Sequence, residues 1–313
     1  MEDAMSSTIP NSFQVKFKNN VETRLQLKKD PLEGTMMEQF DTGAEKVKVK
    51  DLVGAAEAKE AEGRNGKTEW TETDFDGVWI PKPNELYDAD IIDNADQLAT
   101  AISLKGAGTK RGAETITRAR VRRRLEGFYG PIISGKSGTV TTAFPSGQII
   151  PVTTGGASGA QKMNVKKLRE ANKLLGADHV DMEMDRYMIL TVDDNDALLS
   201  EVPATSSDFK TSFAARLDDK GRLLSMLGWT FIHLELDNAK LTTIPDLATD
   251  ASGYRKTPFW TEGGMCVNWW QKLRPHVGLI PERLFNEGWF VGTTLGATRT
   301  QAEMSGIILN QKG

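Results

Sequence analysis

Residues 45–83, EKVKVKDLVGAAEAKEAEGRNGKTEWTETDFDGVWIPKP, decide how this chain is read. Val47 and Val49 alternate with Lys46, Lys48 and Lys50, and Trp70, Thr71, Thr73 and Phe75 alternate with Glu72, Asp74 and Asp76. A period of two predicts two strands rich in charge, and Gly54, Gly63 and Gly66 mark the turn region between them. Arms of about a dozen residues at roughly 3.3 Å each would carry the tip about 40 Å outward. A two-stranded hairpin buries too little to be stable alone in water, so its cover is expected outside the core of its own chain. The competing reading is a charged surface loop, of a length that compact domains seldom carry without a function.

Outward from the hairpin, 313 residues with a net charge of -4 are enough to bury a core in two subdomains. A pI near 5.6 argues against a dedicated nucleic-acid binder, whose domain is usually basic. Cys266 is the only cysteine, which excludes an intrachain disulfide and a paired-cysteine metal or redox site. No apolar run reaches about eighteen residues and no leader pattern opens the sequence, so no membrane partner and synthesis in the cytoplasm are expected.

Phe13, Phe17, Val21 and Leu25 stand at helical spacing over residues 11–29, between Asn11 or Ser12 as N-cap and the stop Asp30-Pro31. After the hairpin, Ile91, Ala95, Leu98, Ala99 and Ile102 predict a helix that Gly106 and Gly108 end. A longer helix follows from about Gly112 to Tyr129, closed by Gly130-Pro131. Val121, Leu125, Phe128 and Ile132 line one narrow stripe of it, flanked by Arg118 and Arg122 on one side and Arg120 and Arg124 on the other. Residues 134–160 read as irregular, with a strand pair over 139–143 and 148–153, and 161–175 read as a helix. Aromatic β-like runs at 188–193, 228–236, 265–270 and 288–297 then give an α+β chain with segregated elements.

Residues 130–137, Gly-Pro-Ile-Ile-Ser-Gly-Lys-Ser, satisfy the phosphate-loop pattern letter for letter. Such a loop needs a strand before it and a helix after it, whereas an arginine-rich helix precedes this one and β-prone residues follow. A glycine-rich turn is the better reading. His179, His233 and His276 are widely spaced, with no paired HxxxH or HExxH, which gives a metal or triad site little support. Asp193, Asp194 and Asp196 lack the glycine and glutamate of a calcium loop and read as caps of a helix over 197–199. No catalytic, metal or cofactor residue is assigned.

A short polar arm, an extended hairpin, a long helix and a β-rich C-terminal core resemble, in that order, the major capsid proteins of tailed bacteriophages with the Hong Kong 97 fold. FKNNVETRLQLKKDPLEG, TDFDGVWIPKPNELYDADIIDNADQLAT, Phe144–Val152, Gly228–Ile232 and Leu295–Arg299 carry the likeness, which spans nearly the whole chain. The resemblance implies an α+β Hong Kong 97-like capsid fold. Its parts would be an N-terminal arm over 1–44, the extended hairpin or E-loop over 45–83, a peripheral domain over 84–183 with a spine helix at about 112–133, an axial domain over 184–262, and a return to the peripheral domain over 263–313.

The same resemblance implies a subunit that assembles with itself, as hexamers and pentamers, into an icosahedral head shell around double-stranded DNA bound without sequence specificity. It implies a virion capsid assembled in the cytoplasm of a bacterial host. A separate scaffolding protein is implied, because the arm is too short to hold a scaffolding segment, together with a portal and optionally a decoration protein. The residues expected at inter-subunit contacts are Lys59, Arg64, Lys67, Trp70, Glu72, Asp74 and Asp76 of the hairpin and Arg118, Arg120, Arg122 and Arg124 of the helix, the acidic strand of one copy facing the basic helix of another. Two alternatives stand beside this reading: a phosphate-loop nucleotide-binding enzyme, and a non-viral nanocompartment shell of the same fold.

Overall fold

The computed structural model describes residues 29–53, 75–92, 104–156, 159–201, 215–236 and 247–312. In chain order its first strands are β1 (Met37–Gln39), β2 (Lys46–Val53), β3 (Phe75–Pro81) and β4 (Leu86–Ile92), followed by helix α1 (Leu104–Tyr129), β5 (Ile132–Ser134), β6 (Val140–Thr142) and β7 (Ile149–Ile150). Helix α2 (Val165–Ala177), β8 (Arg186–Leu190), helix α3 (Val192–Glu201), β9 (Arg216–Leu217), β10 (Leu223–Met226) and β11 (Trp229–His233) come next. The chain closes with β12 (Arg255–Thr261), β13 (Met265–Ile280), β14 (Asn286–Arg299) and β15 (Ser305–Asn310). The predicted helix over 11–29 and the hairpin tip over 54–74 lie outside the described residues.

The described residues form two compact units, a smaller one from 85–118 and 272–293 and a larger one from 30–84, 119–271 and 294–312. The larger unit is built on a seven-stranded sheet ordered β7-β15-β12-β8-β11-β10-β9. Its core gathers Leu168, Ala171 and Leu175 of α2 with Met188, Leu190, Trp229, Phe259 and Ile308 of the sheet. Positions 168, 171 and 175 share one helix face. Asn164 caps α2 by accepting the Lys167 amide at 2.9 Å. His179 ends it in the left-handed conformation, φ +56°, with Val180 N–H donating to Leu175 O at 3.0 Å, a Schellman closure. That assigns His179 a backbone role.

Two expectations about this unit are corrected. Residues 139–143 and 148–153 do not pair with each other, since β6 pairs with β5 and β7 runs parallel to β15. Helix α3 begins at Val192, so Asp193 and Asp194 occupy its first turn instead of preceding it, where carboxylates complement the helix dipole.

Helix α1 corrects a third. Gly106 and Gly108, predicted to end a helix, lie inside α1, and Ile91 belongs to β4, which pairs antiparallel with β14. The cause is an indole distant in sequence. A Cβ on Gly108 would stand 2.5 Å from Trp289 Nε1 and one on Gly112 2.4 Å from its Cζ3, so these glycines form the notch that receives Trp289 in the smaller unit. Further along, Gly127 lets α1 approach the β14 backbone, because a Cβ there would meet Ala297 O at 2.4 Å. The helix ends at Tyr129, as Gly130-Pro131 predicts, and Ile132 already belongs to β5, short of the expected limit at 133. Val121, Leu125 and Phe128 are fully buried, as their stripe predicts.

Candidate functional site

The alternation in Lys46–Val53 and Phe75–Pro81 resolves as an antiparallel pair from Lys46↔Pro81 to Val53↔Phe75. Val47, Val49, Val78 and Ile80 bury one face of it against Ile132, Cys266 and Trp270. Cys266 is accordingly enclosed in a core. The register shifts between Lys48 and Lys50, a bulge that increases the local twist of the ribbon. Only Trp79 of β3 pairs with the next strand, opposite Ile133 of β5. Toward the tip, β2 and β3 therefore leave the sheet as a two-stranded ribbon among the described residues.

What holds the ribbon's base is the segment whose letters match a phosphate loop. Residues 130–137 fold as β5 followed by a turn into β6, after a helix and before a strand, so the strand-loop-helix arrangement that wraps a phosphate is absent here. Lys136 and Ser137 are exposed. The turn instead accepts from the hairpin: Trp79 Nε1–H donates to Gly135 O at 2.7 Å and Lys46 Nζ to Gly138 O at 3.2 Å. Gly138 holds φ +63° with the Trp79 ring against it, where a Cβ would stand 2.9 Å from Trp79 Cγ. Only glycine meets both conditions. The Lys48 ammonium lies 5.8 Å from the centre of the Trp79 ring.

The arginines of α1 divide by environment. Arg124 is buried and pairs with Asp30 and, at 3.5 Å, with Glu38, while its guanidinium lies 5.5 Å from the Trp269 ring centre. Arg120 covers the same ring at 5.2 Å; burial lowers its pKa, and the Asp30 charge opposes that shift. Burial likewise raises the pKa of Asp30 against the pull of Arg124. These side chains fix residues 30–39 to the helix, and β1 then runs parallel to β13 from Met37↔Cys266 to Gln39↔Asn268. Asn268 both donates to and accepts from the Asp41 backbone, and Trp270 Nε1–H donates to Ala44 O at 2.9 Å. The expectation that all four arginines face a neighbour is corrected for Arg124, which is enclosed within its own chain. Arg122 pairs with Glu126 at 3.4 Å, and Arg118 donates to Thr115 Oγ1 at 3.2 Å. Of the hairpin residues expected at contacts, Lys59, Arg64, Lys67, Trp70, Glu72 and Asp74 lie outside the described residues, and Asp76 is placed only by its backbone in β3.

Sequence reasoning missed the buried polar chain of the larger unit. Lys167 Nζ donates to Gln161 O, Leu309 O and Asn310 Oδ1 at 2.8, 2.8 and 2.9 Å. Asn310 donates to Thr257 Oγ1 at 2.9 Å, Thr257 to Asp194 Oδ2 at 3.4 Å, and Arg255 to Asp194 Oδ1 and Asp193 Oδ2 at 3.3 and 2.9 Å. Burial lowers the Lys167 pKa to about 8, against the opposing effect of Asp194, and raises that of Asp194, against Arg255. Its members stand 167, 194, 255 and 310 along the sequence, with no shared period to reveal them. Arg299 is a further buried cation: it lies 4.2 Å from the Phe144 ring centre, donates to Gly130 O just beyond the C-terminus of α1, and burial lowers its pKa to about 10. It supplies the helix's negative end with the cation that the last turn of α1 lacks.

Among the described residues no group of three His, Cys, Asp or Glu side chains is placed to hold a metal, and no helix is long and apolar enough to cross a membrane. What the geometry offers is an anchored ribbon, a laced arm and a long packed helix. Structures of the same architecture are shells. The chain matches the capsid of Ralstonia phage GP4 with a TM-score of 0.69 at 11% identity, over 100% of this chain and 99% of that one. It matches the capsid of cyanophage P-SCSP1u at 0.69 and 11%, over 95% and 93%. It also matches the SrpI encapsulin complex from Synechococcus elongatus PCC 7942 at 0.60 and 10%, over 96% and 94%. The fold is therefore the α+β Hong Kong 97 type of shell-forming subunits, as the order of elements implies. None of the curated proteins matches in sequence. The profile described as phage capsid protein matches residues 9–312, and the chain belongs to that family. It is a structural subunit of a phage head.

Proposed function

We propose that copies of this chain tile an icosahedral head as hexamers and pentamers and enclose double-stranded DNA without reading its sequence, with no catalytic role of their own. A separate scaffolding protein, a portal and optionally a decoration protein complete the set of partners, and assembly takes place in the cytoplasm of a bacterial host before the virion is released. The supporting observation is the ribbon of β2 and β3, which is fixed at its base by Trp79 and Lys46 and leaves its sheet beyond Trp79. A ribbon of this kind is unstable without further cover, and an adjacent subunit supplies it. In the proposed arrangement, residues 30–44 belong to the arm, α1 is the spine helix, and Arg118 and Arg122 meet the acidic returning strand, Glu72, Asp74 and Asp76, of the adjacent copy. Binding energy is then divided over many modest contacts, which keeps assembly reversible until closure.

Negative-stain electron microscopy of the intact chain beside a variant lacking residues 54–68 tests this. Shells or capsomer rings are expected from the intact chain and lost from the variant. A monomer indifferent to the deletion would refute the proposal. The nanocompartment alternative shares only the fold, through the encapsulin likeness, whereas the family match is to phage capsid proteins. Nuclease-protected DNA inside native particles supports a phage head, whereas a protein cargo without DNA supports the compartment.

A further inference from the structure

Helix α2 buries one face and shows the other to solvent, and the exposed face is cationic. Leu168, Ala171 and Leu175 seat it on the seven-stranded sheet, and the buried Lys167 ammonium ties it to Leu309 O and Asn310 Oδ1 of β15. On the side away from these, Lys166, Arg169 and Lys173 recur at i, i+3 and i+7, which puts them in one row. Lys162 stands just before the N-cap Asn164. All four cations are exposed. Among the described residues Lys162, Lys166 and Arg169 make no ion pair, and Lys173 meets Glu170 at 3.6 Å with both side chains open to solvent, a pair of the kind that contributes little.

The stability of the chain does not call for this row. The positive end of a helix dipole favours carboxylates in the first turn and disfavours ammonium groups, yet the first turn of α2 holds Lys166 and no acid. Glu201 of α3 answers the Val165 N–H at 2.8 Å, which satisfies the backbone and leaves the Lys166 charge unpaired. Cations held against a local preference, with no partner in their own chain, mark a surface that serves something else. The row carries no aromatic or large apolar side chain, and its uncharged neighbours are Gly176 and Ala177. An interface with protein is built on aromatic, Met and Arg anchors and is poor in lysine, whereas non-specific binding to a phosphate backbone needs only Lys and Arg. The length fits as well: from Lys166 to Lys173 the helix rises about 10 Å, the axial run of about three phosphates of one duplex strand at 3.4 Å each. Beyond the row the sign reverses, with Asp178, Asp181, Glu183 and Asp185 all exposed, so a polyanion is confined to the stretch from Lys162 to Lys173.

We propose that the face of α2 formed by Lys166, Arg169 and Lys173, with Lys162 beside it, is a contact surface for the phosphate backbone of double-stranded DNA, without regard to sequence. The inference rests on the reading of the chain as a head subunit that encloses DNA. Because the chain is acidic in total, at -4, the contact is weak in each copy and falls steeply with salt. Repeated over many copies, such contacts hold a duplex near the wall without fixing its position.

Fluorescence anisotropy of a short labelled duplex with unassembled subunits tests the surface. The triple variant Lys166→Gln, Arg169→Gln, Lys173→Gln is expected to bind about tenfold or more weakly at low salt, and to reduce the slope of log affinity against log salt by about 2 to 3. A control triple variant, Lys82→Gln, Lys136→Gln, Lys220→Gln, removes the same charge from exposed positions elsewhere and is expected to keep most of the affinity and the slope. Glu170→Gln removes the acid beside the row and is expected to tighten binding, a gain that a folding defect does not produce. Equal losses in the two triple variants would trace binding to net charge, and unchanged binding in the first would place the duplex elsewhere. Polyglutamate bound by the unaltered chain and lost from the first triple variant, with no duplex bound, would assign the face to an acidic protein segment. Each of these overturns the inference. All are read on free subunits, whereas the head reading stands or falls on nuclease-protected DNA in native particles, so the two failures are told apart.

Discussion

Replacing Lys167 by Met sets two opposing effects against each other inside a fully buried site. The ammonium has three oxygen acceptors within 2.9 Å and no exposed surface. Burial lowers its pKa from the ordinary 10.5 to about 8, which makes the buried charge a penalty of about 2–3 kcal/mol at neutral pH. Methionine fills the same space without charge and relieves that penalty, but takes the donor from Leu309 O and Asn310 Oδ1 at about 2 kcal/mol each, while Gln161 O keeps the Gln311 N–H at 3.0 Å. The acceptors win, and a net loss of about 1–2 kcal/mol is expected at pH 7. The pH dependence carries the sharper test. Below pH 8 both folded and unfolded chains hold the proton and the penalty is fully present. Between pH 8 and 10.5 the folded chain releases its proton while the unfolded chain keeps it, so stability rises with pH. Urea unfolding of unassembled subunits, followed by tryptophan fluorescence, is expected to show the advantage of the unaltered chain over Lys167→Met growing by about 2–3 kcal/mol across that window. Other titrating groups cancel in the difference. A difference that stays flat, or shrinks as pH rises, would refute the reasoning and show that the three oxygens hold the ammonium fully charged.

Two further substitutions probe what holds α1. Gly127→Ala improves helix propensity by about 1 kcal/mol but drives a methyl group to 2.4 Å from Ala297 O, an overpacking cost of about 1–3 kcal/mol; the melting temperature of the subunit is expected to fall, and a rise would show that α1 and β14 separate freely. Arg124→Met leaves Asp30 and Glu38 without their cation, for a loss of about 3–5 kcal/mol and faster proteolysis within residues 30–44, part of which Asp30→Asn in the same chain is expected to restore; unchanged cleavage would mean that the β1–β13 pairing alone secures the arm.

The fold was legible where its cause is local. The alternation of Val47 and Val49 with lysines, the stripe of Val121, Leu125 and Phe128, and the stop at Gly130-Pro131 each depend on neighbours a few residues away, and each stands in the structure as read. The errors share a different origin. Gly106 and Gly108 look like a helix stop because glycine is a poor helix former, and the Trp289 side chain that reverses this for Gly108 lies some 180 positions on. The periodicity of α1 shows which face is apolar but not that Arg124, beside that face, is enclosed by Asp30 and Glu38. Letters alone could not separate a phosphate loop from a turn that accepts Trp79 and Lys46, since both use glycines to expose backbone groups, one its N–H donors and the other its carbonyls.

The placement of charge bears on how such a shell would hold its contents. Among the described residues Arg124, Lys167, Arg255 and Arg299 are buried, against only Glu114 and Asp194 of the acids. Withdrawing these groups leaves the rest of the chain about two charges more negative than its total of -4. Proteins that grip DNA do the opposite and display cations, whose release of counterions makes binding strong and salt-dependent. The four buried cations are a small share of the 39 lysines and arginines, and their work is internal: they fasten the arm to α1 and the last strand to α2. The strength of a shell built from such subunits has to come from contacts between them. That requirement falls on the ribbon of β2 and β3, which leaves its sheet beyond Trp79.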